Sequence, residues 1–349
     1  MATTIKSTAL DFANIKNNLK THLKNSTEFA DYNFEASGLS NILDVLAYNT
    51  HINGLTANFA LNESFLGTAQ LRSSVVSLAT GIGYVPDTKT SAKATVGVTL
   101  SLSGVSGRPS TVDLPRYHRF AATVDDIAYV FQTTDVHTAE DDGAGSYVFK
   151  TVDGSAVVPI YEGTRKAKTF FVGEFNEADV YMIPDISLDA DSALVTVTEG
   201  TTDTVFTNIT AATTISATST IYILKEAPNG FYQLSFGGNG ILGLSPAAGS
   251  TITVDYISTK GATANSATGF TATDTVTVLG TARTLTVTTT AAAIAGGEKE
   301  TIESIRTNAP FQYATQNRMV TPEDYTAIIL RNFSTLINDI VSWGGQDNP

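Results

Sequence analysis

Residues 236–270 read FGGNGILGLSPAAGSTITVDYISTKGATANSATGF, and they decide between two classes of fold. Gly238, Gly240 and Gly243 have the spacing G-x-G-x-x-G, which binds a dinucleotide when a strand precedes it and a helix follows it. Here Leu244 runs into a serine and a proline, and then into the alternating residues of a second strand. The glycines are therefore predicted to form a loop between two strands, and nucleotide binding is not expected.

The same two-residue alternation recurs along the middle of the chain. Val96, Val98 and Leu100 alternate with small polar residues, as in a half-buried antiparallel strand. Similar runs lie around residues 195–197, 221–223, 232–236, 252–256, 276–278 and 285–287. A hairpin turn is predicted at residues 228–230, Pro-Asn-Gly. Because no helical period interrupts these runs for long, we expect antiparallel sheets rather than parallel βαβ units.

The first 90 residues instead show helical spacing. A first helix is predicted behind an N-cap at Asp11, and a third is predicted to end at Gly81 and Gly83. Between them, residues 39–65 form a long helix that is apolar on more than one face, followed by a break and a new N-cap at residues 66–68. Such a helix must be covered from more than one side.

One face of this second helix carries an apolar stripe. Its members are Val45, Tyr48, Ile52, Leu55 and Phe59. The periodicity alone fits either the core of a small helical domain or a surface that contacts other subunits. Because three short helices cannot easily bury two apolar sectors among themselves, a helix bundle with a neighbouring subunit is physically reasonable, and the stripe is a candidate partner interface.

Three stretches resemble one family of viral assembly proteins. They are the Phe-Gly-x-Gly turn and strand within residues 236–270, the segment SIRTNAPFQYATQNRMVTPED at 304–324, and the helical run at 37–86. These stretches are similar to the baseplate wedge subunits of phages with contractile tails, in the baseplate J-like family. The resemblance implies a structural subunit that joins neighbouring wedges into the baseplate ring and relays the rearrangement that triggers sheath contraction.

The same resemblance implies partners and a location. The partners would be other baseplate wedge proteins and a second copy of this subunit, and the N-terminal helices would bundle with neighbouring subunits. The protein would be made in the host cytoplasm and would reside in the tail baseplate of the virion. An alternative is a β-sandwich adhesin or glycan-binding protein of the tail tip, which would not need the N-terminal helices.

The predicted fold class is α+β, with an N-terminal helical region, antiparallel β-rich domains and a short α/β segment. The four regions are residues 1–90 (helical assembly region), 91–190 (β-rich domain with a surface insertion), 191–300 (Thr-rich antiparallel β domain) and 301–349 (α/β segment). The insertion is expected at 135–146, and the last region should contain a helix capped at Thr321 and a buried strand at 339–343. Similar family members continue further, so the last region is expected to be truncated relative to the family.

Composition narrows the classes of function. Only 16% of the 349 residues are charged, and the net charge of −13 would repel a phosphate backbone, so nucleic acid is not an expected partner. The absence of cysteine removes disulfides and thiol nucleophiles, and it fits synthesis in a reducing cytoplasm. No apolar run is long enough for a signal peptide or a membrane span, so a membrane is not an expected partner either.

Residues that could support catalysis or metal binding are scattered. Four histidines lie far apart in the sequence: His22, His51, His118 and His137. A calcium loop that began at Asp189 would need glycine where Leu194 stands, so the DISLDAD segment does not fit an EF-hand. No nucleophile elbow of the G-x-S-x-G type is present. The sequence therefore predicts no enzyme activity, no cofactor, no metal and no small-molecule substrate.

Overall fold

The computed structural model describes residues 11–29, 31–34, 37–174, 179–212, 215–238, 242–315, 318–332, 337 and 339–343. The helices in these residues are α1 (Phe12–Lys24), α2 (Gly38–Glu63), α3 (Arg72–Gly81), α4 (Ile302–Thr315) and α5 (Pro322–Asn332). The strands are β1 (Lys93–Ser101), β2 (Thr111–Leu114), β3 (Arg119–Val124), β4 (Ile127–Gln132), β5 (His137–Glu140), β6 (Ser146–Val148), β7 (Val158–Glu162), β8 (Thr164–Phe171), β9 (Tyr181–Ile183), β10 (Leu188–Glu199), β11 (Thr202–Asn208), β12 (Ile221–Glu226), β13 (Tyr232–Phe236), β14 (Thr251–Ser258), β15 (Thr268–Ala272), β16 (Val276–Val278), β17 (Thr281–Arg283) and β18 (Thr286–Ile294). The predicted α+β class, with helices before antiparallel β-rich domains, is confirmed.

The chain divides into two compact units. The helical unit comprises Met1–Tyr84 and Ile302–Ala314, and the β unit comprises the remaining residues. In the helical unit α1 packs on α2, and Asp11 caps α1 as predicted, since its carboxylate accepts a hydrogen bond from Asn14 N at 3.3 Å.

The core of the helical unit lies between α3 and α4. Val75 and Ala79 of α3 are buried together with Ile305 and Ala309 of α4. No helix is predicted here from the sequence, and Pro310 within α4 gives the physical reason, because proline removes a backbone donor and usually marks a helix end. The third predicted helix therefore has an intramolecular cover that comes from the far end of the chain.

The first β domain is a seven-stranded sheet in the order β15-β3-β4-β7-β1-β18, with β6 also paired to β1. Its outer strands meet at one end, where Ser266 N donates to Ala293 O (2.7 Å) and Ala293 N donates to Ala267 O (3.0 Å). The sheet therefore closes on itself there and encloses a core. Fully buried members of this core include Val96, Val98, Phe120, Phe131, Phe149 and Ile160.

The second β domain is a seven-stranded sheet in the order β8-β14-β10-β11-β12-β13-β9. An aromatic chain runs through its core, from Phe170 to Tyr181 (ring centroids 5.3 Å apart), on to Phe236 (6.0 Å) and then to Phe206 (5.2 Å). Among the described strands, every neighbouring pair is antiparallel except β11 and β12. The hairpin turn predicted at 228–230 joins β12 to β13.

The second sheet is inserted in the first. Strands β8 to β14, residues 164–258, follow β7 and precede β15, both of which belong to the first sheet. We call residues 85–162 with 261–301 the frame domain, and residues 164–258 the inserted domain. The domain boundary predicted at residue 190 falls within β10, a strand of the inserted domain.

Two local predictions differ from the structure. The surface insertion predicted at 135–146 contains β5, which pairs with β2 and buries His137 and Ala139. The apolar and polar residues of β5 alternate over too few positions for this strand to stand out in the sequence. The strand predicted at 339–343 is not formed. Val341 and Trp343 are exposed, and none of the described strands pairs with this segment. The predicted capped helix is present as α5, where Asp324 N donates to Thr321 Oγ1 at 3.3 Å.

Candidate partner interface

The predicted stripe lies on α2 and is open to solvent. Its members, Val45, Tyr48, Ile52, Leu55 and Phe59, are between 38% and 67% exposed. Within the described chain, only Leu43 and Ala47 of this 26-residue helix are buried. Because soluble proteins rarely leave a contiguous row of large apolar side chains in water, the stripe has the character of an interaction surface.

Further apolar residues widen the exposed surface of α2. Ile42, Leu46, Leu61 and Phe65, on or just beyond the helix, are each at least 45% exposed. Ile42 and Leu46 lie on a second apolar face of this helix, and the described part of the chain does not cover them. The sequence could not predict this exposure, because a helical period gives the direction of a side chain around the helix and not what packs against it.

The opposite side of α2 holds its buried residues. α1 packs on α2, and Lys16 Nζ lies 2.5 Å from an Asp44 carboxylate oxygen, so a salt bridge joins the two helices beside the buried residues Leu43 and Ala47. Leu43 lies two residues before Val45, and Ala47 lies two residues after it. At 100° per residue, both therefore point about 160° away from Val45 around the helix. The stripe therefore points away from the buried side of α2.

Uncharged residues fill the rest of α2. The helix contains only two carboxylates, Asp44 and Glu63, and no lysine or arginine. Between them, Thr50 Oγ1 donates to Leu46 O (2.8 Å) and Thr56 Oγ1 donates to Ile52 O (2.9 Å), so these hydroxyls satisfy themselves on their own helix. Protein interfaces are depleted of charge at their centre, and a surface of this composition loses little hydration when it is covered.

Glu63 shapes the corner between α2 and α3. Its carboxylate accepts hydrogen bonds from Gln70 N (2.7 Å) and Leu71 N (3.3 Å), the two residues that immediately precede α3. Burial opposes ionisation of this group, but these hydrogen bonds outweigh it and hold the pKa of Glu63 below its usual value. The N-cap predicted at residues 66–68 is wrong, because the N-cap of α3 is Leu71, and Thr68 Oγ1 donates to Asn62 O instead.

Arg306 of α4 supports the same corner. Its guanidinium donates to Ala69 O, and it forms a salt bridge with Glu303 one turn earlier. The contact fixes the connection between α2 and α3 from outside the N-terminal sequence. Sequence reasoning missed this role, because no local pattern relates a loop carbonyl to a side chain more than 230 positions away.

The structure locates most of the glycines of the G-x-G-x-x-G spacing and two of the histidines. Gly238 and Leu242 form an isolated antiparallel bridge and Gly243 has φ of +71°, as in a loop between strands, whereas Gly240 lies outside the described residues. His118 and His137 are both buried in the frame domain. In the part of the chain that the structure describes, no group of three or more acidic or histidine side chains could hold a metal ion.

This chain is similar in sequence to known baseplate proteins. Residues 11–84 match a family model described as the helical domain of the gp6-like baseplate wedge protein. The chain is 32% identical over 367 aligned positions to the baseplate wedge protein gp6 of Enterobacteria phage T4, with 97% of this chain and 52% of that protein covered. The chain therefore spans about half the length of this curated relative. The predicted resemblance to baseplate wedge subunits is confirmed.

Two solved structures show a weaker similarity to this chain. The TssK-TssF-TssG baseplate subcomplex of a type VI secretion system gives a TM-score of 0.39 at 9% identity, with 83% of this chain and 81% of that chain covered. The baseplate of the anti-feeding prophage gives 0.32 at 11% identity, with 92% and 64% covered. At these scores neither structure carries a conclusion about this chain. Over the described residues, no helix combines the length and the apolar character that crossing a membrane requires.

Proposed function

We propose that this chain, a relative of the phage T4 baseplate wedge protein gp6, is a structural subunit of a baseplate wedge in a contractile tail. It would join neighbouring wedges into the baseplate ring and relay the rearrangement that triggers sheath contraction. The observation that carries the proposal is the exposed apolar stripe of α2, which lies inside the segment that matches the helical domain of gp6-like wedge proteins.

The proposed partners are other baseplate wedge proteins and a second copy of this chain. The stripe favours a helical partner, because an i, i+3, i+7, i+10, i+14 row of side chains fits the groove between residues of another amphipathic helix. Its lack of charge favours a contact that stays assembled over one that forms and separates through electrostatic steering. A place in the tail baseplate of the virion, after synthesis in the host cytoplasm, follows from the same relatives.

The proposed role is geometric and requires no catalysis. Support comes from the relatives, which are baseplate proteins, and from the charge of −13, which disfavours a nucleic-acid partner. We also propose that the chain works without a cofactor, a metal, a membrane or a small-molecule substrate. Saturable ATP or NAD binding by the purified chain would contradict this part of the proposal, provided that the binding disappears on Gly243→Val while the fold is kept.

The proposal is tested with Ile52→Asp in wedge complexes made by co-expression with the other wedge proteins of the same phage. An ionised carboxylate at the centre of the stripe would lose its hydration on assembly, so recovery of the variant in the complex should fall by about tenfold or more. The measurement is the amount of the chain that co-purifies with an affinity-tagged neighbour. Circular dichroism of the variant alone should match that of the native chain.

Ala57→Asp is the matched control. Ala57 is exposed on the same helix, and five residues at 100° each turn it about 140° away from Ile52. This variant should assemble like the native chain. Equal loss of assembly by both variants, or unfolding of the chain by Ile52→Asp alone, would show that the stripe is not the contact and would refute the proposal.

A further inference from the structure

The frame and inserted domains are joined by two crossings of the chain that lie side by side. The outgoing crossing passes through Gly163 (φ +131°) and the return crossing through Gly261 (φ +73°). A Cβ atom on Gly163 would lie 2.7 Å from Ser258 O, and one on Gly261 would lie 2.8 Å from Gly297 O. At both crossings, a neighbouring backbone oxygen therefore lies too close to leave room for a side chain.

A buried carboxylate from the frame domain holds the return crossing. Glu162, at the end of β7, is 2% exposed. Its Oε2 accepts hydrogen bonds from Thr259 Oγ1 (2.6 Å) and Lys260 N (3.0 Å), while its own N donates to Ala92 O (2.8 Å). The two crossings are thus tied to each other through one side chain.

A second buried carboxylate makes the reciprocal contact. Asp189, at the start of β10 in the inserted domain, accepts a hydrogen bond from Ser91 N of the frame domain at 3.0 Å and from Asp191 N at 3.1 Å. Next to it, Ala190 N donates to Thr88 Oγ1 at 3.1 Å. Each domain therefore supplies one carboxylate to the junction: Asp189 accepts from the frame-domain amide of Ser91, and Glu162 accepts from Thr259 and Lys260 on the return crossing.

The hydrogen bonds of the two carboxylates do not fully offset the effect of burial on their pKa values. Burial raises the pKa of Asp189 to about 6, the nearby Asp191 acts in the same direction, and Ser91 acts against it. Burial also raises the pKa of Glu162, against the opposing effects of Thr259, Lys260 and, at longer range, Lys89.

A cleft of about 650 Å³ lies beside Asp189 between the two domains. The charged side chains that line it, besides Asp189, are Asp87, Lys93, Arg116, Asp135 and Asp191. Acidic groups outnumber basic ones there, so the surroundings do not neutralise the Asp189 carboxylate, and water can enter the cleft when the junction loosens.

We propose that this pair of buried carboxylates makes the junction between the frame and inserted domains a proton-sensitive joint. Protonation of Asp189 and Glu162 removes the cost of two buried charges and tightens the joint in mildly acidic solution. Ionisation at higher pH favours opening, because an opened junction hydrates the carboxylates. The joint belongs to the β unit and does not depend on how the protein assembles through α2.

Amide hydrogen exchange of the native chain tests the joint without any substitution. The amides of Ser91 and Lys260 donate to the two carboxylates, so they exchange when the junction opens. After correction for the intrinsic rate, their opening constant should rise about tenfold between about pH 5 and about pH 8, given a pKa that falls from about 6 to the usual carboxyl value on opening. An opening constant that is the same at both pH values would overturn the proposal.

Asp189→Asn and Asp126→Asn separate the joint from general effects of pH. Asp126 is an exposed acid in the turn between β3 and β4, where its φ of +62° suits asparagine as well as aspartate. Asp189→Asn should make the pH dependence at Ser91 clearly smaller than in the native chain, because only Glu162 of the pair can then titrate, and Asp126→Asn should leave it unchanged. Full pH dependence in Asp189→Asn would contradict the joint. If that variant does not fold, the native-chain measurement alone decides.

Discussion

At the scale of single residues, His118 is a titratable side chain buried in the frame domain. It is 2% exposed, and its ring meets Phe120 edge-on with centroids 5.3 Å apart. Burial lowers its pKa below the usual value, and Asp274 acts in the opposite direction without offsetting the burial. Because the folded state favours the neutral ring, the stability that this group contributes is present above the unfolded pKa of about 6.5 and is lost as the pH falls through the folded pKa.

The prediction is that His118→Gln reduces the acid sensitivity of the β unit. Glutamine cannot take up a proton, so the drop in unfolding free energy between about pH 7.5 and about pH 5 should be smaller in the variant than in the native chain. Urea unfolding at each pH measures the drop, and the contributions of other groups, including Asp189, cancel when variant and native chain are compared. Equal drops in the two proteins would contradict a buried neutral His118.

Gly163 and Gly230 form a matched pair of glycines with positive φ. A Cβ on Gly163 would lie 2.3 Å from Ile257 Cγ2 and 2.7 Å from Ser258 O, whereas one on Gly230 would meet no atom within 4 Å. We expect Gly230→Ala to cost about 1 to 2 kcal/mol, from the left-handed conformation alone. Gly163→Ala should cost clearly more, because a backbone atom must also move. Urea unfolding measures both, and equal costs would contradict the close approach at the junction.

At the scale of elements, the start of α3 depends on a side chain from α2. Glu63→Ala removes the carboxylate that accepts from Gln70 N and Leu71 N just before α3, so we expect the unfolding free energy to fall by about 1 kcal/mol, as for other lost hydrogen bonds. The lowered pKa of Glu63 means that its contribution is present above the unfolded pKa and is lost as the pH falls through the folded value. Thr68→Ala serves as the comparison, and hydrogen exchange of the Gln70 amide is the measurement. Faster exchange in Thr68→Ala than in Glu63→Ala would contradict this role of Glu63.

Elements with a strong local period could be predicted from the sequence. The three N-terminal helices, the buried face of β1 and the hairpin between β12 and β13 follow from spacing alone. α4 could not be predicted in this way, since Pro310 breaks its pattern and its burial depends on Val75 and Ala79, more than 220 positions earlier. The insertion of one sheet in the other was also hidden, because strand order depends on pairings such as that of β8 with β14, whose residues are far apart in sequence.

The candidate interface shows the same division between local and long-range information. The period of α2 predicted which residues share a face, and Ile52 is at the centre of that face. It could not tell that Leu43 and Ala47 on the other side would be buried while the stripe stays exposed, because helix packing depends on side chains of both partners.

At the scale of the whole molecule, the two units treat their apolar residues differently. Each domain of the β unit encloses a core of its own, with residues such as Phe131 and Leu234 fully buried. Among its described residues, the helical unit buries a small core between α3 and α4 and buries only Leu43 and Ala47 of the long helix α2. Exposed apolar residues that are scattered need no explanation, but a continuous row of them does. We propose that assembly with another subunit covers this row.

Photo-crosslinking in assembled particles tests that claim most directly. Leu55 of the stripe is replaced by benzoylphenylalanine in chains that are incorporated into tails, and Val152, which is fully exposed in the frame domain, is replaced in a parallel preparation. Irradiation of purified particles should join position 55 in high yield to another baseplate protein or to a second copy of this chain, identified by mass spectrometry. Position 152 reports the background. A position 55 that crosslinks only within its own chain, or no more than position 152 does, would contradict an assembly surface on α2.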